Sequence, residues 1–263
     1  MAKATITLLS HTPEPEKLVA AAAKLCYSKS GVTDLMDHLT DEKAADFVEM
    51  LAQIGHESPV EHVTFTFGIE RVSRALLAQI TRHRIASYSV QSQRYVNKSD
   101  FSYITPPEIA AIEEAEEIYQ EAMAQCGKYY DQLVKLLTEK HTQRLMAEGK
   151  GEKEAKKAAS KLANEDARFV LPNGCDTKMV VTMNARSLYN FFRLRCCNRA
   201  QWEIRDVARQ MYALVYQVAP HLFAGAGPAC LCGGCDQGKM SCGRPKEVRQ
   251  AFQRLREEGE THQ

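Results

Sequence analysis

The sequence predicts an α+β fold: a single domain with a small central mixed or antiparallel sheet and several long helices, plus a Cys/Gly-rich C-terminal tail. Three observations predict it. Tyr119, Met123, Cys126, Tyr130, Leu133 and Leu137 step by four and three, which lays one apolar stripe along a long helix. Val63, Phe65, Phe67 and Ile69 alternate with polar or small residues, the period-two pattern of a half-buried strand. Beyond residue 224 the composition turns to glycine, cysteine and charge, so residues 1–224 read as the folded body and 225–263 as a tail.

Thr5–Leu9 is a short strand, and Pro15 opens a helix over EKLVAAAAKLCY, rich in strong helix formers. Asp41 to Ile54 is a second helix, with Ala44, Val48, Leu51 and Ala52 on one stripe, and the turn Gly55–Pro59 ends it. The alternating strand leads into a helix over about 72–83. Thr105 and Glu108 have capping-box spacing, with two prolines in the first turn, and would start the long helix. Gly149-Lys150-Gly151 breaks it. The lysine-rich EKEAKKAASKLANE then reads as a helix with a solvated face. Lys178–Met183 is a strand, Ala185–Cys197 a helix, Gln201–Val218 a long amphipathic helix and Val248–Glu257 a short helical stretch in the tail.

Composition narrows the function. The 263 residues are 44% hydrophobic and 25% charged, enough apolar content for a sizeable core. Lys+Arg 34 against Asp+Glu 33 leaves a net charge of +1, which argues against a generic polyanion binder. No apolar run approaches the ~20 residues of a membrane span, and MAKATITLLSH lacks the pattern of a secretory signal. The expectation is a cytoplasmic protein without a membrane or nucleic-acid partner.

The charge is unevenly placed. From Arg71 to Lys98 there is no acid, while Arg71, Arg74, Arg82, Arg84, Arg94 and Lys98 occur among serines, glutamines and tyrosines. From Thr177 to Trp202 the same holds, with Lys178, Arg186, Arg193, Arg195 and Arg199. Such windows suit phosphate oxygens, because guanidinium groups bind them in two-pronged fashion and hydroxyls add donors. The alternative is pairing with acids from Glu108–Glu121 or from another subunit. On a helix over 185–197, Arg186 and Asn190 share a face, and Arg195, nine residues on, falls on the opposite one.

No G-x-G-x-x-G, P-loop, G-x-S-x-G or H-E-x-x-H pattern is present. Ser87, Ser89 and Ser92 therefore read as phosphate donors or structural hydroxyls. His56 and His62 bracket two glutamates in HESPVEH, but Pro59 breaks helical metal-ligand geometry.

Arg82-His83-Arg84, seven residues and Ser92 resemble the signature of the flavin-dependent thymidylate synthases. GHESPVEH before a strand, Arg168 in ARFVLP, and NARSLYNFFRLR leading into AQWEIR are similar to that family in the same order. The likeness runs from about Ile6 to Phe223. It implies dTMP synthesis from dUMP, with 5,10-methylenetetrahydrofolate as carbon donor, FAD as bound cofactor and NADPH as transient reductant. It also implies a homotetramer with shared active sites. By position, Ser58, Arg82, His83, Arg84, Asn184, Arg186 and Asn190 would hold FAD. Gln79, Arg82, Ser92, Arg94, Arg168 and Arg195 would hold dUMP, with Ser92, Arg94 and Arg168 nearest its phosphate. His56 and Tyr95 would flank the flavin and folate region. Uracil C5 is a poor nucleophile until electron density is pushed toward it. The resemblance implies polarisation rather than covalent cysteine attack, with Arg195 as the catalytic residue favouring negative charge at N3/O2.

Two features depart from the family. Arg199 stands where members often carry His. The tail carries Cys230-x-Cys232-x2-Cys235-x6-Cys242, which could bind zinc, stay as free thiols or form a facultative disulfide. An RNA-binding module with an arginine-rich surface and a zinc knuckle is the alternative reading of the same residues.

Overall fold

A computed structural model describes residues 4–96, 98 and 101–260; Met1–Lys3 of the body and the last three residues of the tail lie outside the described residues. In chain order the elements are β1 (Thr5–His11), α1 (Pro15–Leu25), α2 (Val32–Asp37), α3 (Asp41–Ile54), β2 (Thr64–Ser73), α4 (Arg74–Ile80) and β3 (Ser87–Val90). They continue with α5 (Pro107–Ala110), α6 (Glu113–Ala147), α7 (Glu152–Ala167), β4 (Asp176–Asn184), α8 (Ala185–Arg195), α9 (Trp202–Val218), α10 (Pro220–Phe223) and α11 (Pro245–Glu260). The α+β class is as expected: a four-stranded sheet in the order β1-β2-β4-β3, with several long helices.

The strands follow from their side chains. Phe65, Phe67 and Ile69 of β2 are fully buried, each worth about 1.5–3 kcal/mol of apolar transfer. A one-residue slip against β1 would turn all three outward, so the antiparallel register Ile6↔Ile69 and Leu8↔Phe67 is fixed by burial. The strand runs on through Ser73, whose Oγ accepts from Leu76 N at 3.0 Å and caps α4. That is why α4 begins later than the sequence predicts.

The expected capping box does not form. Pro106 is the N-cap of the four-residue α5, without a side-chain cap bond, and α6 starts separately at Glu113 behind Ile112. The prolines fix a short isolated turn rather than the head of the long helix. The apolar stripe is as predicted: Met123 and Tyr130 are buried and the rest of it is half-buried.

The chain divides into two compact units. The first comprises Arg71–Ala78 and Val90–Met179. Its centre is the α6–α7 pair, where Ala155, Ala159, Ala163 and Ala167 are fully buried at four-residue spacing and let the helices approach closely. Tyr130 donates from its hydroxyl to Asn164 Oδ1 at 3.3 Å, while Lys153, Lys156 and Lys157 are exposed. A Cβ on Gly174 would sit 2.0 Å from the Tyr119 hydroxyl, which donates to Ile104 O at 2.9 Å. Gly174→Ala should therefore break that bond and destabilise the protein by about 1–3 kcal/mol. Urea unfolding checks this; an unchanged midpoint would contradict it.

The second unit comprises Ala4–Glu70, Gln79–Ser89 and the chain from Val180 onward. Its core is aromatic: Phe65 meets Phe223 edge-on at 5.3 Å, Phe192 meets Tyr212 at 5.7 Å, and Tyr212 meets Phe252 at 4.6 Å. Phe252 belongs to α11 and is fully buried. Arg256 Nε donates to the Tyr212 hydroxyl at 2.9 Å. α11 is thus packed on α9 and, at Pro245–Glu260, outruns the expected Val248–Glu257 at both ends.

Candidate functional site

The two acid-free windows meet on α8. Asn184 is its N-cap, accepting from Ser187 N at 2.8 Å, so the first turn is pinned where β4 ends. The turn before β3 is pinned by Tyr88, whose half-buried hydroxyl lies 2.7 Å from Ile80 O and 2.9 Å from His83 O. Between them lies a cavity of about 600 Å³ lined by Arg82, His83, Arg84, Asn184, Arg186, Asn190 and Arg195, with Glu61 and Leu194 at its wall.

Spacing predicts Arg195 opposite Arg186, yet both line this cavity together with Asn190. Arg195 is the last residue of α8, and its long side chain turns back so that Nε donates to His83 Nε2 at 2.9 Å. Its Nη2 lies 3.5 Å from Gln79 O. One helix thus brings Arg186, Asn190 and Arg195 to one cavity.

That bond fixes the histidine's state. His83 packs edge-on against Phe191 at 4.9 Å. Burial, then the Arg195 cation, push its pKa down to about 4. His83 is therefore neutral near pH 7, with Nε2 as acceptor and the proton on Nδ1. Burial and the charge of Arg82 lower Arg195 as well. Between about pH 6.5 and 4 the unfolded chain takes up a proton that the folded one refuses. The stability His83 contributes is thus present above pH 6.5 and is lost as pH falls toward 4. Urea melts at pH 7 and pH 5 should show a smaller acid loss in His83→Gln than in the parent protein; equal losses would contradict this.

The other residues expected at the site are not among those lining this cavity. Ser58 does not line the cavity; its Oγ lies 3.1 Å from His56 Nε2. His56 lines a second cavity of about 220 Å³ with Val48, Leu51, Tyr189 and Leu222. In the first unit, Arg94 Nη2 pairs with Glu165 Oε2 at 2.7 Å, and Arg94 N donates to Ser92 Oγ at 3.2 Å. Arg168 Nε donates to Glu165 O at 3.1 Å. Tyr95 is exposed, with Lys161 Nζ 4.5 Å from its ring centre. Lys98 is buried and pairs with Asp176 at 3.2 Å, which removes it from the anion-binding set.

For Arg94, Arg186 and Arg193 the paired acids come from outside Glu108–Glu121. Arg186 pairs with Glu61 and with Glu57 at 3.4 Å, and Arg193 with Asp236 at 2.9 Å. Sequence reasoning misses Glu61 and Tyr88 as parts of the site. The i, i+4 spacing of Glu57 and Glu61 in HESPVEH is the available signal, since it presents two carboxylates on one side of a turn. Arg199 is exposed and is not among the residues lining the cavity. All nine cysteines are free thiols, and among the described residues no three His, Cys, Asp or Glu are placed to hold a metal ion.

The lining therefore offers four guanidinium groups, two carboxamides and a neutral imidazole: many donors for anionic oxygens, and no thiol nucleophile. The family model described as thymidylate synthase complementing protein matches residues 7–221. A flavin-dependent thymidylate synthase of Clostridium tetani is 51% identical over 94% of this chain and 96% of its own. One of Geobacter sulfurreducens is 44% identical over 95% and 98%, and one of Pyrococcus abyssi 34% identical over 96% and 98%.

Proposed function

Since this chain belongs to the flavin-dependent thymidylate synthase family, a methyltransferase family making dTMP from dUMP, we propose that the cavity on α8 is where its chemistry takes place. The carbon comes from 5,10-methylenetetrahydrofolate, with FAD and NADPH as the reducing system. The observation that carries the placement is the convergence of Arg82, His83, Arg84, Asn184, Arg186, Asn190 and Arg195 on one cavity. The donor set fits a flavin dinucleotide: guanidinium and carboxamide groups suit its pyrophosphate and ring oxygens. Arg82, His83, Arg84, Asn184, Arg186 and Asn190 would hold it, while Ser58, expected in the same set, is not among the residues lining the cavity. Bound there, the flavin would supply the reducing equivalents for the methyl group.

Arg195 polarises the uracil. Its Nε is committed to neutral His83, which orients the guanidinium so that its cation favours negative charge at N3/O2. A fixed cation in a partly desolvated wall stabilises negative charge as it develops, and needs no reorganisation when it does. Gln79 and Arg82 complete the pyrimidine end of the substrate contacts, while Ser92, Arg94 and Arg168 receive the phosphate. Residues 1–224 carry this machinery, and the tail from 225 is structural.

No cysteine acts as nucleophile. Burial raises both Cys175 and Cys196 above the ordinary thiol range, which disfavours a thiolate. Cys175→Ala, Cys196→Ala and Cys197→Ala should each keep tritium release from [5-³H]dUMP within about tenfold. A folded, flavin-loaded variant that lost more than about a hundredfold would contradict this.

The enzyme is a cytoplasmic homotetramer with shared active sites. Free thiols suit a reducing compartment. Among the described residues no helix is long and apolar enough to cross a membrane. Ile118, Tyr129 and Leu136 of α6 are at least half exposed at spacings of eleven and seven, an apolar stripe suited to contact between copies. Light scattering should give about four times the 29.5 kDa chain. Arg82→Ala and Arg195→Ala proteins, mixed, should not rescue each other, because both residues line one cavity of one chain.

The purified protein itself tests this function. It should be yellow, release FAD on denaturation and form dTMP; a colourless protein with salt-dependent RNA binding would overturn it.

A further inference from the structure

The arginine set against the substrate's phosphate already has an anion. Arg94 Nη2 lies 2.7 Å from Glu165 Oε2, with both side chains partly exposed. The same glutamate's carbonyl accepts from Arg168 Nε at 3.1 Å. Glu165 thus engages both guanidinium groups of the phosphate set, one through its carboxylate and one through its backbone. The arginine's main chain is tethered as well, its N donating to Ser92 Oγ at 3.2 Å.

Guanidinium geometry limits how such an arginine can take a phosphate. Nη1 lies on the side of Cδ, so the two faces that can grip a phosphate with two hydrogen bonds are Nε/Nη2 and Nη1/Nη2. Each uses one of the two hydrogens on Nη2, and Glu165 takes Nη2 at 2.7 Å, so the pair closes one of these faces. Arg94 Nε is buried and, among the described residues, has no hydrogen-bond partner. The carboxylate therefore takes the arginine by one prong and leaves a buried donor unsatisfied, a costly arrangement that a phosphate on the Nε/Nη2 face would relieve.

We propose that Glu165 is the counter-anion of the phosphate seat, holding Arg94 in the free protein and exchanging it for the substrate's phosphate. This rests on the reading that Arg94 meets that phosphate. Glu165 is then a specificity-determining residue. A dianionic phosphate displaces it by engaging Nε and Nη2 together, whereas a monovalent anion, which gains less from the exchange, leaves the pair closed.

Inorganic phosphate and dUMP, each titrated calorimetrically into the full-length FAD-loaded protein, test this without relying on turnover. Removing the competing charge in Glu165→Gln should tighten both by roughly fivefold or more. Chloride should inhibit the variant at lower concentration than the parent. On an Arg94→Ala background the Glu165→Gln gain should vanish. Arg94→Ala alone should weaken dUMP binding; if it leaves dUMP and phosphate binding unchanged, the phosphate reading fails and this inference with it. If Arg94→Ala weakens binding but Glu165→Gln leaves it unchanged or weaker, the reading stands and the exchange is refuted. Should Glu165→Gln not fold, Glu165→Asp draws the carboxylate back by one methylene and should also tighten phosphate binding, by a smaller factor; weaker binding there would equally refute it.

Discussion

Arg195→Lys should keep its flavin and yet form dTMP at least about a hundredfold more slowly. Lysine preserves the charge but not the planar fork, so it cannot hold His83 through Nε and face N3 and O2 at the same time. A donor aimed at developing negative charge is typically worth about 10²–10³ in turnover. Flavin retention is expected because Arg82, Arg84, Arg186, Asn184 and Asn190 remain on the cavity wall. The flavin absorbance of the purified variant and its rate of tritium release from [5-³H]dUMP check the two halves separately. Near-normal turnover would show that the fork is not needed.

Arg82→Ala should lose more than any other single change, because Arg82 is assigned contacts with both FAD and dUMP. The protein should purify with little or no yellow colour, and added FAD should restore it only at concentrations about a hundredfold higher, as expected for a lost charge-assisted pair of hydrogen bonds. The charge of Arg82 also lowers Arg195, so the variant should raise the affinity of Arg195 for its proton rather than weaken it. Folding should be little affected, since Arg82 is exposed. Urea unfolding of the flavin-free parent and variant separates the two effects. A variant that keeps its colour would contradict the assignment.

Much of this fold is legible in the residues, for identifiable reasons. β2 can be read because burial of one face imposes strict alternation at Phe65, Phe67 and Ile69. α3 can be read from Asp41 to Ile54 because Thr40 caps it and Gly55, at φ 71°, ends it in the conformation glycine tolerates best. β3 cannot: Ser87–Val90 is four residues inside a polar window and owes its place to pairing with β4. The capping box fails because Pro106 fixes a separate turn, which spacing alone does not reveal.

The site shows the same division. Residue types and windows indicate anion binding, and helix periodicity brings Arg186 and Asn190 to one face. Periodicity misplaces Arg195, since a side chain of that length at a helix end goes where its partner is, and the partner, His83, is more than a hundred residues away. The paired acids escape sequence reasoning for the same reason. Arg186 finds Glu57 and Glu61, and Arg94 finds Glu165, through contacts made only on folding.

Stopped-flow spectroscopy of Arg195→Lys and Arg94→Lys at saturating dUMP separates the proposed action of Arg195 on the pyrimidine from that of Arg94 on the phosphate. Both variants should show flavin reduction by NADPH. With methylenetetrahydrofolate present, the reoxidation coupled to dTMP formation should be slowed at least about a hundredfold in Arg195→Lys. In Arg94→Lys it should be close to normal once dUMP is raised, because a phosphate contact mainly affects ground-state binding. Equal turnover defects in the two variants, or loss of flavin from Arg195→Lys, would contradict the account.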